Sequence, residues 1–162
     1  MRHLLFLVLA AWSLTACNQP PKNPATDTPA PASAAPAAPA ETLPGVPMEI
    51  LQNLWENCDG VDYVYYDLPI SMSLDNQPSI RNALSQVAKQ PAPMQPQCKP
   101  IGRIFFMIKG ENVVVAELYF SKGCTYFIFL ENEKPTYSNY MTPQGVEYFN
   151  NIFRQAGYPT VE

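Results

Sequence analysis

The stretch IGRIFFMIKGENVVVAELYFSKGCTYFIFLENEKPTYSNYM, residues 101–141, decides the fold. Ile101 to Lys109, Val113 to Phe120 and Cys124 to Glu131 are rich in β-branched and aromatic residues. Gly110-Glu111-Asn112 and Ser121-Lys122-Gly123 separate them with the composition of hairpin turns. Three such runs joined by short turns predict an antiparallel meander, and Asn132 to Pro135 turns the chain into a fourth strand, Thr136 to Met141. In the middle run Val114, Ala116, Leu118 and Phe120 share one face. Glu117 lies on the other with Val113, Val115 and Tyr119, so that second face is partly solvated at best.

Outward from the meander, helices are marked by their ends. Thr142 caps the last one, Pro143 takes its first position, Gly157 stops it, and Val146, Phe149, Ile152, Phe153 and Ala156 form its apolar stripe. Asn76 caps a second helix with Pro78 in its first turn; Ile80, Leu84 and Val87 face one way up to about Lys89. Gln90 to Pro100 follows as an extended crossing loop with four prolines. Upstream, Pro47 opens a short helix in which Leu51, Leu54, Trp55 and Cys58 fall at i, i+3, i+4 and i+7. Val61 to Tyr66, and the alternating Ile70, Met72 and Leu74, predict one long strand interrupted near Pro69. One-sided helices need a surface to cover, so the expected class is α+β. It is a two-layer domain with an antiparallel meander of four or five strands and helices packed on it.

The first 47 residues have a different character. Met1-Arg2-His3 is a short, positively charged start, and Leu4 to Leu14 is an apolar run of 11 residues, the length of a secretory h-region and too short to span a bilayer as a helix. It ends on Leu14-Thr15-Ala16-Cys17. This resembles the lipobox of bacterial lipoproteins, in which signal cleavage leaves a lipidated cysteine as the first residue. The resemblance implies removal of residues 1–16, lipidation of Cys17 with a thioether-linked diacylglycerol and often an N-acyl chain, and anchoring of the protein to a membrane without spanning it. Asn18, where an aspartate would resemble an inner-membrane retention signal, favours the outer membrane with the domain facing the periplasm; a surface-exposed location stays open. From Asn18 to Pro47, 30 residues hold nine prolines and no aromatic residue. Such a chain has too little apolar bulk to offset the entropy of ordering, so residues 17–47 are expected to be the lipidated cysteine and a linker. Its reach is about 30 Å as a coil and about 90 Å as extended polyproline II. Residues 48–162 are then a single globular domain.

Three cysteines remain in an oxidising compartment, so one disulfide and one leftover thiol are expected among Cys58, Cys98 and Cys124. Cys98 and Cys124 fall at the same end of the meander but two strands apart, nearly 10 Å, and can pair only if the Cys98 loop folds over the sheet. Cys58 with Cys98 stays open.

Chemistry is sparse. The only histidine is His3, so the mature chain has no Ser-His-Asp or Cys-His arrangement and no histidine ligand. No metal site and no cofactor are expected. Asp59, Asp62 and Asp67 lie close in sequence but lack the Asp-x-Asp-x-Asp-Gly spacing of a calcium loop, and read as solvated turns. Ser121-Lys122 are turn neighbours, not a dyad. In the domain twelve acids face eight bases, which argues against nucleic acid as a partner. All nine tyrosines lie in the domain. Aromatic rings on a sheet usually pack across strands; the alternative is a binding surface for a peptide or sugar built from Tyr63, Tyr65 and Tyr66 with Asp62 and Asp67. Tyr65 and Tyr66 point to opposite faces of a regular strand. The expected function is a membrane-anchored, non-enzymatic interaction or assembly module with an envelope protein as partner. The alternative is a glycan or small-ligand module.

Overall fold

Two-residue turns shape the sheet. In the computed structural model, which describes residues 41–161, Lys109 and Gly110 both take positive φ, 55° and 76°, and Asn132 and Glu133 do the same at 51° and 63°. Two consecutive left-handed residues are the type I′ turn, whose twist matches that of the strands it joins. The first turn links Pro100–Ile108 to Glu111–Ser121, and the second links Cys124–Glu131 to Lys134–Tyr140. The first hairpin is thus tighter than the expected Gly110-Glu111-Asn112. The register shift between Phe106 and Met107 absorbs the difference, leaving Val113 as the extra residue of a bulge.

In chain order the elements are β1 (Glu41–Thr42), α1 (Met48–Asn57), β2 (Gly60–Tyr65), β3 (Ser71–Leu74), α2 (Gln77–Ser85), β4 (Pro93–Met94), β5 (Pro100–Ile108), β6 (Glu111–Ser121), β7 (Cys124–Glu131), β8 (Lys134–Tyr140) and α3 (Pro143–Gln155). Six strands form one antiparallel sheet in the order β3-β2-β5-β6-β7-β8, and β1 pairs with β4 apart from it. The α+β expectation holds, with more strands than foreseen. The single long strand does not hold. The chain reverses around Pro69, and β2 and β3 pair as a hairpin, Val61 opposite Leu74 and Val64 opposite Ser71.

The caps form as the sequence predicts. The Asn76 side chain accepts from Ser79 N at 3.1 Å, and the Thr142 hydroxyl from Gly145 N at 3.2 Å. α2 stops at Ser85 rather than near Lys89 because the chain is drawn to the sheet edge. Ala88 N donates to Tyr140 O, Tyr140 N to Gln90 O and Ala92 N to Ser138 O, so β8 acquires a neighbour. The helices cover the face built from Val61, Tyr63, Ile104, Phe106, Ala116, Leu118, Phe127 and Phe129, with Leu54, Ile80, Phe149 and Phe153 packed against it. Two expected stripe residues lie outside this core. Trp55 is 43% exposed, its ring under the Arg81 guanidinium at 5.3 Å, and Ala156 is exposed beyond the end of α3.

The fold also takes in residues that the expected boundary at Pro47 left to the linker. Val46 is buried and its N–H donates to the buried Asn139 Oδ1 at 2.8 Å, while Pro44 O accepts from Ser138 N. The expectations for residues 1–40, a lipidated Cys17 included, lie outside the described residues.

At Gly102 the backbones of β2 and β5 approach so closely that a Cβ would stand 2.5 Å from Val64 O and 3.0 Å from Tyr65 Cα. Both are main-chain atoms and cannot step aside. Gly102→Ala should therefore destabilise the domain by about 2–3 kcal/mol, read as a lower urea midpoint with an unchanged slope.

Candidate functional site

Strand alternation sends Val61, Tyr63 and Tyr65 toward the helices and Asp62 and Val64 to the opposite, outer face. The outer face has two unlike halves. Over β6, β7 and β8 it is covered by the segment that leaves α2: Ala92, Cys98, Tyr119, Cys124, Tyr126 and Ile128 form a second buried cluster, with Leu43, Met94 and Leu130 against it. Tyr119 and Tyr126 stack there at 4.6 Å. Cys98 and Cys124 are joined by a disulfide with a Cα–Cα separation of 5.8 Å, so the loop does fold over the sheet. Cys58 is the free thiol, buried and donating to Gly60 O at 3.2 Å; burial pushes its pKa up, which keeps it an unreactive thiol.

The other half, over β3, β2 and β5, carries no covering segment among the described residues. It presents Val64 at 46% exposure and Tyr66 at 47%, with Phe105 and Val115 half-buried between them and the covered half. At its centre Arg103 gathers a polar network. Its Nη1 lies 2.7 Å from Glu133 Oε2, its Nη2 lies 3.8 Å from Glu117 Oε1, and its Nε donates to Tyr66 Oη at 3.1 Å. The Tyr119 hydroxyl donates to Glu117 Oε2 at 3.2 Å. The Glu133 hydrogen bond raises the Arg103 pKa further, so the guanidinium is a fixed cation held by two carboxylates and a phenol.

Of the five residues proposed from sequence as a binding surface, the structure brings only Asp62 and Tyr66 to this face. Tyr63 and Tyr65 are core residues, edge-on to Phe149 at 5.8 Å and to Phe153 at 5.4 Å. Asp67 sits in the β2–β3 loop at the rim of a different, apolar cleft of about 210 Å³ with Phe153 and Tyr158. The five therefore do not converge, because β2 alternates and Asp67 lies past its end. Arg103, Glu117 and Glu133 were missed as a group. A charge alternating with Gly102, Ile104 and Phe106 in β5 was the available signal for Arg103. The contact with Glu133 depends on a turn 30 residues away, which no local pattern announces.

Burial raises the pKa values of Tyr63 and Tyr65, and burial with the Glu117 charge raises that of Tyr119. Each stays protonated in the fold at pH values where the unfolded chain, titrating near 10, loses its proton. Their contribution to stability is therefore complete below about pH 10 and lost as pH rises toward the folded values. Alkaline titration followed at the tyrosinate absorption band should show these three ionising late and together with unfolding.

Among the described residues no group of three or more His, Cys, Asp or Glu side chains is placed to hold a metal ion, and no helix is long and apolar enough to cross a membrane. Comparison with protein-family models, curated proteins and solved structures yields no match.

Proposed function

We propose that the protein is a lipid-anchored cell-envelope lipoprotein whose non-enzymatic domain binds another envelope protein through the open half of its outer sheet face. The observation that carries this is the contrast within one face. The chain spends its own 88–98 segment on shielding half of it, and leaves Val64 and Tyr66 exposed around the Arg103 network on the rest. Exposed aromatic and apolar side chains grouped around a held arginine match the tyrosine and arginine enrichment of protein-binding surfaces. The signal and the proline-rich segment support anchoring through Cys17, and Asn18 favours the outer membrane with the domain facing the periplasm. A photoreactive amino acid at Val64 or Ser73 should give one discrete adduct in intact cells, and none when placed at Gln52 on α1. With the probe at Ser73, Val64→Lys with Tyr66→Ala should abolish the adduct without moving the unfolding temperature. Equal adducts from α1, or none from the face, would refute this reading. For the anchor, Cys17→Ser should release the protein from the membrane fraction.

A glycan or small-ligand module is the second reading, favoured by the exposed Tyr66 ring beside the Arg103–Glu133 pair. With Tyr63 and Tyr65 inside the core, it rests on Tyr66. Tyr66→Ala would then remove glycan binding and leave protein adducts intact.

A further inference from the structure

On the opposite side of the sheet from the open face, a cleft of about 330 Å³ lies between α1 and the ends of β6, β7 and β8. Its floor is apolar: Val46, Ile50, Val114 and Phe129. Its rim carries two carboxylates from separate elements, Glu49 in the first turn of α1 and Glu131 at the end of β7. The Tyr137 hydroxyl donates to Glu131 Oε1 at 3.1 Å, which fixes the direction of that carboxylate and leaves it acceptor capacity. Among the described residues the ion pairs are those of Arg103, so neither rim carboxylate has a cation within 4 Å; Lys134, opposite Glu131 in the β7–β8 register, does not reach it.

We infer that this cleft binds an organic cation with an apolar body, an alkyl- or arylammonium or a guanidinium, whose body lies on Ile50, Val114 and Phe129 and whose head meets Glu49 and Glu131. Charge complementarity sets the sign of the ligand. The volume, at the small end of ligand pockets, limits it to one ring or a short chain. A free amine and an arginine side chain offered by a partner share this chemistry. The site stands apart from the outer face and does not depend on what binds there.

The test uses the chain from residue 17 onward with Cys17→Ser, and methyl NMR of Ile50 and Val114. The probes are benzylammonium, benzyl alcohol, benzoate and N-acetyl-arginine amide. The two cations should shift these methyls and bind at least about tenfold tighter than the alcohol, with benzoate not binding, since a charge-assisted contact is what the rim adds. Glu49 and Glu131 are exposed, so Glu49→Gln with Glu131→Gln should fold normally and bring the cations down to the affinity of the alcohol. Binding by the arginine probe alone would assign the ligand to a protein side chain, and binding by both would assign it to the cation itself. Equal affinity for alcohol and ammonium, no loss in the double variant, or shifts at Val64 and Val115 in place of Ile50 and Val114 would overturn the inference.

Discussion

Phe149→Ala should cost the domain about 4 kcal/mol, within the range of about 3–5 kcal/mol for truncating a fully buried phenylalanine. Phe149 has no exposed surface. Its ring is edge-on to Tyr63 at 5.8 Å and to Tyr148 at 5.4 Å, and lies 5.6 Å from Phe120 and 6.1 Å from Phe153. It joins α3 to β2 and β6 at once. The void left by alanine would be walled by rings held from separate elements, which cannot all close in, so the cavity penalty adds to the lost burial. A domain of this size has about 5–15 kcal/mol in all. The variant should therefore be partly unfolded at 37 °C and show a urea midpoint far below wild type. Ile152→Ala, on the half-buried side of the same helix, should cost much less. Equal losses at the two positions would mean that α3 is held by its stripe as a whole and not through Phe149.

The second large effect is expected from Cys98→Ala with Cys124→Ala. The bridge closes a loop of sequence separation 26, for which chain entropy gives about 3.5 kcal/mol. The consequence differs from that of Phe149→Ala in kind. Losing the bridge frees the segment around Ala92 and Met94 from the outer face and bares the stacked Tyr119 and Tyr126, while the helix-covered core is untouched. Near-ultraviolet circular dichroism from those tyrosines should fall, with the far-ultraviolet spectrum retained, before global unfolding begins. Reduction of the wild-type protein should reproduce both changes. A stability loss under 1 kcal/mol, with the tyrosine signal intact, would show that apolar packing alone holds the loop.

Local chemistry explains which parts were legible. Asn76 with Pro78, and Thr142 with Pro143, mark helix starts because a capping side chain and a fixed φ act within three residues of each other. The three β runs are legible because alternation and turn composition are also local, whereas the exact length of the first turn is not. The β2–β3 hairpin was not, since Pro69 interrupts a strand and reverses one with the same composition, and only pairing with β5 decides between them. Trp55 was misplaced for a similar reason. Leu54, its neighbour, is fully buried, and the ring lies against Arg81 of α2, a residue beyond the range of any periodicity. At the candidate site Tyr66 was expected to face out if Tyr65 faced in, and it does. The network around Arg103 joins residues from four strands or turns, and its formation depends on register shifts that composition does not encode.

Asn139 has a mechanical consequence. Its side chain accepts from Val46 N and donates to Ala88 O, and so ties the stretch just before α1 and the stretch just after α2 to β8. A pull applied upstream of Glu41 would reach the two-residue β1–β4 ladder first, then the Pro44–Ser138 and Val46–Asn139 bonds, and only afterwards the body of the sheet. The ladder can peel open one residue at a time. Cys98–Cys124, four residues beyond β4, would keep the strand left behind pinned to β7. The domain thus has a weak link at its upstream end, backed by a covalent pin on the strand that the link leaves behind.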